Sequence, residues 1–384
     1  MLTDGINFKN FNVKAKPQLV KKKFELLVKE NNEVLKSLSK NYQNSFSKNF
    51  FSKYKKFSNF RIIGLGGSTL GSQAIYQFLF KKIKKKFVFI DNLDPSFRKN
   101  TKTKNLNLII SKSGNTIETI ANANILINKK DKNIFLTENR KSHLYLLAKK
   151  LKSEIVHHNN FIGGRYSVLS EVGMLPAELM NLNSSKFKQF NNLIKNKSFL
   201  KNLIANVAAT ISLIQNKKYN SIIINYDNKS ENLFQWYQQL VAESLGKKGK
   251  GILPIISNMP KDNHSLMQLY LEGQKNNFFT FFYCEDKNSH KLKGKLLHSH
   301  RYLENKSIHE ILLKQKKATE NVFIKKKIPF RSIDLKKRNE KTLGEIFCYF
   351  ILETILLGQA LNVNPYDQPS VELIKKETKK IFFK

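Results

Sequence analysis

Cysteine is scarce in this chain, since Cys284 and Cys348 are the only two among 384 residues and no CxxC pair occurs. This scarcity excludes a disulfide framework and a cysteine-paired metal site, and it suits a reducing compartment. No run approaches the about 20 apolar residues that a transmembrane helix needs. Residues 1–12 lack the positive-then-apolar pattern of a secretion signal. We therefore expect a cytoplasmic protein with no membrane partner.

Arginine is scarce as well, although the chain is strongly basic. The formal net charge is +39, yet only seven of the 68 basic residues are arginine. Nucleic-acid-binding surfaces favour arginine because its planar fork donates two parallel hydrogen bonds, whereas here lysines are spread from end to end. We interpret them as solvated lysine faces and expect no nucleic-acid partner, an alternative that rests on charge alone. A basic surface would still attract anionic substrates at low salt.

The length of the chain and its alternation of apolar runs with helical patterns predict an α/β protein of two domains. Such alternation indicates crossover units on parallel sheets. The runs predicted as strands are 61–64, 87–90, 106–110, 133–136 and 154–156, then 221–225, 251–255, 278–283 and 328–333. We predict a helical extension over 1–50, a first domain over 51–200, a second over 201–339, and C-terminal helices over 340–384 that pack back on the site.

A Ser-Lys-Ser-Gly-Asn-Thr stretch at residues 111–116 indicates an anion site between an apolar run and a helical pattern. The first N–H groups of a helix lack partners and carry about +0.5 charge, which attracts a phosphate. The hydroxyl side chains of the stretch could add donors, and Gly114 lets the backbone approach a ligand closely. The alternative is an ordinary strand-to-helix turn with Ser and Thr caps.

A glycine turn, Gly64-Leu65-Gly66-Gly67-Ser68, directly follows the first predicted strand. It is similar to a dinucleotide fingerprint, and Asp91 ends the next strand, where a ribose-binding acid belongs. The third glycine of that fingerprint is missing, because Thr69 stands in its place. A turn that presents Ser68 to an anionic sugar explains the same residues. Both turns follow strands at their carboxyl ends, where such sheets bind ligands.

Three further positions carry chemistry that suits proton transfer. Gly163-Gly164-Arg165 would let the backbone pass close to a ligand while the guanidinium stabilises an oxyanion; a solvated surface turn is the alternative. Glu243 ends an apolar helical stripe, so a partly desolvated carboxylate could act as a general base, unless it faces water. His264 begins another helical pattern and could transfer protons near neutral pH, although histidines at such positions are usually structural.

Six motifs follow one another over residues 60 to 376. They are Gly66-Gly67-Ser68, Ser111 through Thr119, Gly163 through Ser170, Glu243 through Lys247, His264 through Gly273, and Asp367 through Lys375. Each motif is weak alone, whereas their order is highly specific. Taken in order, they resemble the motifs of the glucose-6-phosphate isomerase family.

The resemblance implies two sugar-isomerase domains, each a parallel sheet between helix layers, and a reversible conversion of glucose 6-phosphate to fructose 6-phosphate without metal or cofactor. Glu243 would move a proton from C2 to C1, and Arg165 would stabilise the cis-enediolate between these steps. His264 and Lys375 would assist ring opening. The substrate-binding residues that the resemblance implies are Gly67, Ser68, Ser111, Lys112, Ser113, Thr116, Gly164 and Gln368.

The resemblance also implies a homodimer in which the partner subunit supplies the histidine, so that a monomer would be inactive. Two alternatives stay open. A bifunctional phosphoglucose/phosphomannose isomerase would act on mannose 6-phosphate, but the sequence at 163–167 together with Gln368 favours the glucose-specific branch. A non-catalytic sugar-phosphate-binding protein would need no glutamate base, and the presence of Glu243 argues against it.

Overall fold

Two mainly parallel sheets, each flanked by helices, organise the chain. The computed structural model describes residues 1–96, 105–127, 131–286, 288–294 and 299–383. The strands are β1 Ile6–Lys9, β2 Asn59–Ile63, β3 Lys86–Ile90, β4 Leu106–Ile110, β5 Lys132–Thr137, β6 Glu154–His157, β7 Asn220–Asn225, β8 Leu253–Asn258, β9 Asn277–Cys284 and β10 Phe330–Leu335. The helices are α1 Gln18–Leu27, α2 Glu33–Ser37, α3 Leu70–Phe78, α4 Ile117–Leu126, α5 His143–Lys150, α6 Glu171–Leu179, α7 Phe190–Leu193, α8 Lys197–Gln215, α9 Glu231–Leu245, α10 Met267–Glu272, α11 Ile308–Lys325, α12 Glu340–Ala360 and α13 Val371–Phe382. The predicted α/β class is confirmed.

The order of the strands places a crevice at the carboxyl edge of each sheet. The first sheet runs β3-β2-β4-β5-β6 and is parallel throughout. The second runs β1-β10-β9-β7-β8 and is parallel except where β1 pairs with β10. In each sheet the direction in which successive strands are added reverses at one point. This point lies between β2 and β4 in the first sheet and between β7 and β9 in the second. Ligands of open α/β sheets bind at the carboxyl ends of the strands at such reversals.

Burial of apolar runs explains why these segments form strands and core helices. β4 is buried at every position, as a strand covered on both faces requires. Helices α3 and α9 pack against each other and join the two domains. Helix α12 is long and apolar enough to cross a membrane by length and composition, but 89% of that window is buried inside the protein, where α12 serves as a core helix.

The N-terminal segment differs from its prediction. Residues 1–50 were expected to be helical throughout, and this is wrong for β1, which pairs antiparallel with β10 in the register Ile6↔Leu335. Alternation explains the strand, since Ile6 is buried and Phe8 half-buried while Asn7 and Lys9 point outward. Helices α1 and α2 follow it as expected.

The C-terminal helices are both present, but they are buried to very different degrees. Helix α12 is buried along almost its whole length, whereas no side chain of α13, all of whose residues are described, is buried. The packing of α13 against the site and the four domain boundaries stay predictions.

Candidate active site

The two turns that the sequence singled out lie side by side. β2 and β4 pair in parallel in the register Ile63↔Ile109, so the turns that follow them share one edge of the sheet. Gly64 allows this approach, because a Cβ there would lie 2.8 Å from the carbonyl oxygen of Ile110 and 3.0 Å from the Cβ of Ser68. Asp91, the candidate ribose-binding acid, follows β3 and accepts a hydrogen bond from Gln73 Nε2 at 2.6 Å.

The 111–116 loop presents hydroxyls and free helix donors together. Ser111 Oγ lies 2.8 Å from Thr116 Oγ1, and Gly114 adopts the left-handed φ of +64° that the tight turn requires. Thr116 is the residue that precedes α4, yet its side chain does not cap the helix. The first N–H groups of α4 therefore remain available for an anion.

Lys112 adds a cation to this loop. Its ammonium lies 3.6 Å from Glu138 Oε1, and Glu138 is also held by Arg140 Nε at 2.8 Å. Burial lowers the pKa of Lys112, Glu138 raises this pKa, and the positive charges of Arg140 and Arg165 lower it further. A partly desolvated ammonium beside serine hydroxyls is chemistry that suits a phosphate. Sequence reasoning missed Glu138, which only the fold brings to Lys112.

A contact between two glycine turns brings Arg165 to the same edge. A Cβ on Gly67 would lie 2.2 Å from the carbonyl carbon of Gly164, so the backbones touch there. Because no side chain fits between them, residue 67 must be glycine for the two turns to meet. The sequence showed glycines at both positions, but their contact follows from the fold alone.

The two glycine turns also contact the helix α9, and we call the region that these three segments border the cleft. Arg165 lies in this region and is 2% exposed. Its Nη1 donates to Gln368 Oε1 at 2.7 Å and to Glu243 Oε2 at 3.4 Å. Its Nη2 donates to the carbonyls of Pro365 at 2.7 Å and Asp367 at 3.0 Å. Residues from both domains and from the turn before α13 thus meet at one guanidinium, and Arg165, Glu243 and Gln368 lie together.

Glu243 lies in the last turn of α9, with its side chain 26% exposed. Apolar side chains on the same stripe are buried and fix the helix in place. Gln239, one turn earlier, donates from Nε2 to Glu243 Oε1 at 2.8 Å, and the same amide nitrogen would lie 2.8 Å from a Cβ on Gly66. Sequence reasoning missed Gln239, although its spacing of four residues from Glu243 was a signal.

His264 and Lys375 are not brought to this cleft within one chain. His264 is exposed at the end of a short turn before α10. Lys375 lies on α13 with its side chain 63% exposed, and its ammonium contacts Glu372 at 2.6 Å. Their assigned roles stay predictions. Within the described parts of the chain, no three His, Cys, Asp or Glu side chains converge in a way that could hold a metal ion.

The cleft has two chemically distinct ends. One end offers serine and threonine hydroxyls, helix N–H groups and Lys112 for an anion. The other end offers a carboxylate beside a buried guanidinium, which can take a proton and stabilise a negatively charged oxygen. Two parallel-sheet domains that share such a cleft define a protein of the sugar-isomerase fold.

Comparison with known proteins agrees with this class. The model of the family described as phosphoglucose isomerase matches residues 14–257. The glucose-6-phosphate isomerase of Methanocaldococcus jannaschii is 31% identical over 84% of this chain and 85% of its own. A hypothetical protein from Thermus thermophilus has a TM-score of 0.83 at 22% identity over 95% of both chains. A glucose-6-phosphate isomerase from Chlamydia trachomatis has a TM-score of 0.77 at 16% identity, over 99% of this chain and 89% of its own. The chain belongs to the phosphoglucose isomerase family.

Proposed function

We propose that this cleft carries out the reaction of the family by proton transfer through a cis-enediolate. The chain is an aldose–ketose isomerase that interconverts glucose 6-phosphate and fructose 6-phosphate, as its relatives' names and its family indicate. The observation that carries the mechanism is a carboxylate 3.4 Å from a buried guanidinium. The contact between Gly67 and Gly164 joins this guanidinium to the glycine turn that lies beside the 111–116 loop.

The phosphate binds at the end of the cleft formed by the two turns. Ser68, Ser111, Ser113 and Thr116 donate hydroxyls to it, and Lys112 supplies the cation, while Gly67 and Gly164 leave room for the sugar. These contacts with the phosphate lie far from the reacting carbons, so their binding free energy orients the substrate before chemistry begins. Gln368 lines the sugar from the turn before α13.

Glu243 acts as the base at the other end. After ring opening, its carboxylate removes the proton from C2 of the aldose, and the electron pair moves onto O1 to give the enediolate. The carboxylic acid then returns the proton to C1, while the hydroxyl proton of O2 is transferred to O1 and C2 becomes the ketone. A positioned base contributes about 10²–10⁴-fold.

Arg165 stabilises the enediolate through its Nη1 edge. All five guanidinium N–H groups have partners in the structure, so an enediolate oxygen replaces one partner of Nη1. The contact to Glu243 is the longest of the five and is the one most readily exchanged. A donor to a developing oxyanion is worth about 10²–10³-fold.

Ring opening is assigned to His264 of the partner subunit and to Lys375 in a homodimer. The proposal is supported by the exposed position of His264, which a second chain can reach. Mixing two inactive variants, Glu243→Gln and His264→Gln, tests it. A mixed dimer holds one site with both substitutions and one site with neither, so activity must return. If activity stays absent although mixed dimers form, the shared site is refuted.

An assay of the purified chain on fructose 6-phosphate, coupled to an NADP-linked glucose-6-phosphate dehydrogenase, tests the reaction. The expected result is NADPH formation at the same rate with and without a chelator. Mannose 6-phosphate serves as a second substrate, and we expect no turnover of it. A chain that binds fructose 6-phosphate without turnover would instead be a sugar-phosphate-binding protein. A cytoplasmic location and the absence of a nucleic-acid partner stay predictions.

A further inference from the structure

A closed ring of hydrogen bonds holds Arg165 from the side away from Glu243. Arg165 Nε donates to Ser244 Oγ at 2.8 Å, and Ser244 Oγ lies 2.8 Å from Tyr166 Oη. Tyr166 Oη contacts the carbonyl oxygen of Pro365 at 3.0 Å, and the same carbonyl accepts from Arg165 Nη2 at 2.7 Å. The ring therefore returns to the guanidinium where it began.

The direction of each hydrogen bond in the ring follows from the donors available. The carbonyl of Pro365 can only accept, so the single hydroxyl hydrogen of Tyr166 goes to it. Ser244 then donates its own hydrogen to Tyr166 while it accepts from Arg165. Burial raises the pKa of Tyr166, so the phenol keeps the hydrogen that the ring needs.

Burial makes this arrangement rigid. Ser244 and Tyr166 are 0% exposed and Arg165 is 2% exposed, so no bulk water can replace a lost partner. With Nε and Nη2 held by the ring, the plane of the guanidinium is fixed and Nη1 is the edge that faces Glu243. Ser244 directly follows Glu243 on α9, so one helical turn carries both the base and the anchor of the arginine.

We propose that Ser244 is a positioning residue which, through its hydrogen-bonded ring with Tyr166 and Pro365, aims Arg165 at the enediolate. The inference rests on the proposed role of Arg165 and deepens it. Ser244 would then contribute to stabilisation of the transition state and not to substrate binding, because the ring touches neither the 111–116 loop nor any group proposed to hold the phosphate. Loss of the hydroxyl should therefore lower kcat and leave substrate binding almost unchanged.

The test compares Ser244→Ala with Ser37→Ala, a matched control. Ser37 is also 0% exposed, and its hydroxyl donates to the carbonyl of Val34, on its own helix, at 2.7 Å instead of to a member of the ring. For Ser244→Ala we expect kcat to fall about 10- to 100-fold, the loss typical of a small misplacement at the reacting centre. KM should stay within about two-fold, and the control should match the parent enzyme in both constants.

The affinities for two ligands distinguish a positioning role of Ser244 from a merely structural role. A phosphorylated aldonohydroxamate mimics the planar enediolate, and sorbitol 6-phosphate has the same phosphate but no planar group. In Ser244→Ala, affinity for the hydroxamate should fall by the same factor as kcat, whereas affinity for sorbitol 6-phosphate should be retained. Equal losses for both ligands, or a parental kcat, would overturn the assignment.

Tyr166→Phe keeps the test decisive if Ser244→Ala does not fold. The variant retains the packing of the aromatic side chain and removes only its hydroxyl. We expect affinity for the hydroxamate to fall at least three-fold more than affinity for sorbitol 6-phosphate. Equal changes for the two ligands would refute the proposal. The double variant should be no slower than Ser244→Ala, because the two residues act in one network. Arg165→Lys tests the proposed role of Arg165 separately from that of Ser244. A parental rate in that variant would refute the role of Arg165 itself.

Discussion

Replacement of Glu243 by glutamine removes the proposed base and little else. The amide has the volume of the carboxylate but cannot take the C2 proton. Both donors that contact the carboxylate, Gln239 Nε2 at 2.8 Å and Arg165 Nη1 at 3.4 Å, would remain in place. We expect kcat to fall about 10²–10⁴-fold, or about 3 to 5 kcal/mol of transition-state stabilisation. KM should stay within about three-fold, because the proposed phosphate site lies in the other domain.

Deuterium exchange measures the step directly. In D₂O the parent enzyme should incorporate deuterium at C2 of glucose 6-phosphate, observed by proton NMR, and Glu243→Gln should lose this exchange in proportion to kcat. Glu231→Gln makes the same change at the start of α9, where the carboxylate accepts a hydrogen bond from Asn258 Nδ2. This control should exchange deuterium at the parental rate. If Glu243→Gln exchanges as fast as this control, residue 243 is not the base.

Three further substitutions test contacts that the fold depends on. Gly67→Ala places a methyl group 2.2 Å from a backbone carbon of Gly164, so we expect at least a 100-fold loss of kcat/KM; a parental value would show that the turns need not touch. Burial lowers the pKa of His158 to about 4, so the stability that it contributes is complete above about pH 6.5 and is lost as the pH falls through 4. Chemical unfolding should show a loss of about 3 kcal/mol over this range, and His158→Phe should abolish that part of the slope, so an unchanged slope contradicts the assignment. Glu353→Leu leaves Arg331 buried without its carboxylate, and urea unfolding should report a loss of about 3 to 5 kcal/mol, whereas a loss under 1 kcal/mol would mean that the pair contributes little.

The parallel strands could be predicted from sequence because each is a short apolar run covered on both faces. β4 coincides with the predicted run 106–110, while β8 begins at Leu253 instead of 251. The shift has a local cause, since Gly251 takes a φ of +124° and ends the turn that follows α9. β1 escaped prediction because four alternating residues at a sheet edge gain their structure only from pairing with β10.

The candidate site could be predicted in part for a similar reason. Residues that follow neighbouring parallel strands must share an edge, so Ser68 and the 111–116 loop could be placed together from sequence. Ser244 acts through hydrogen bonds to Arg165 and Tyr166, which lie far from it in the chain, so no local pattern predicts these contacts. Gln239 could have been found from its spacing of four residues from Glu243 on α9. Lys375 was predicted from the resemblance alone, and His264 from its place at the start of a helical pattern and from the resemblance. One chain leaves both of them exposed to solvent.

The pairing of β1 with β10 has a consequence for the order in which the molecule is assembled. In the described part of the chain, residues 6–9 pair with residues 332–335 and with no other strand, so during synthesis this edge stays unpaired until more than 300 further residues have been made. Closure of such a distant contact is slow relative to local structure. The first sheet, whose strands all lie between residues 59 and 157, can be complete long before β10 is made, and with it the edge that carries the 111–116 loop.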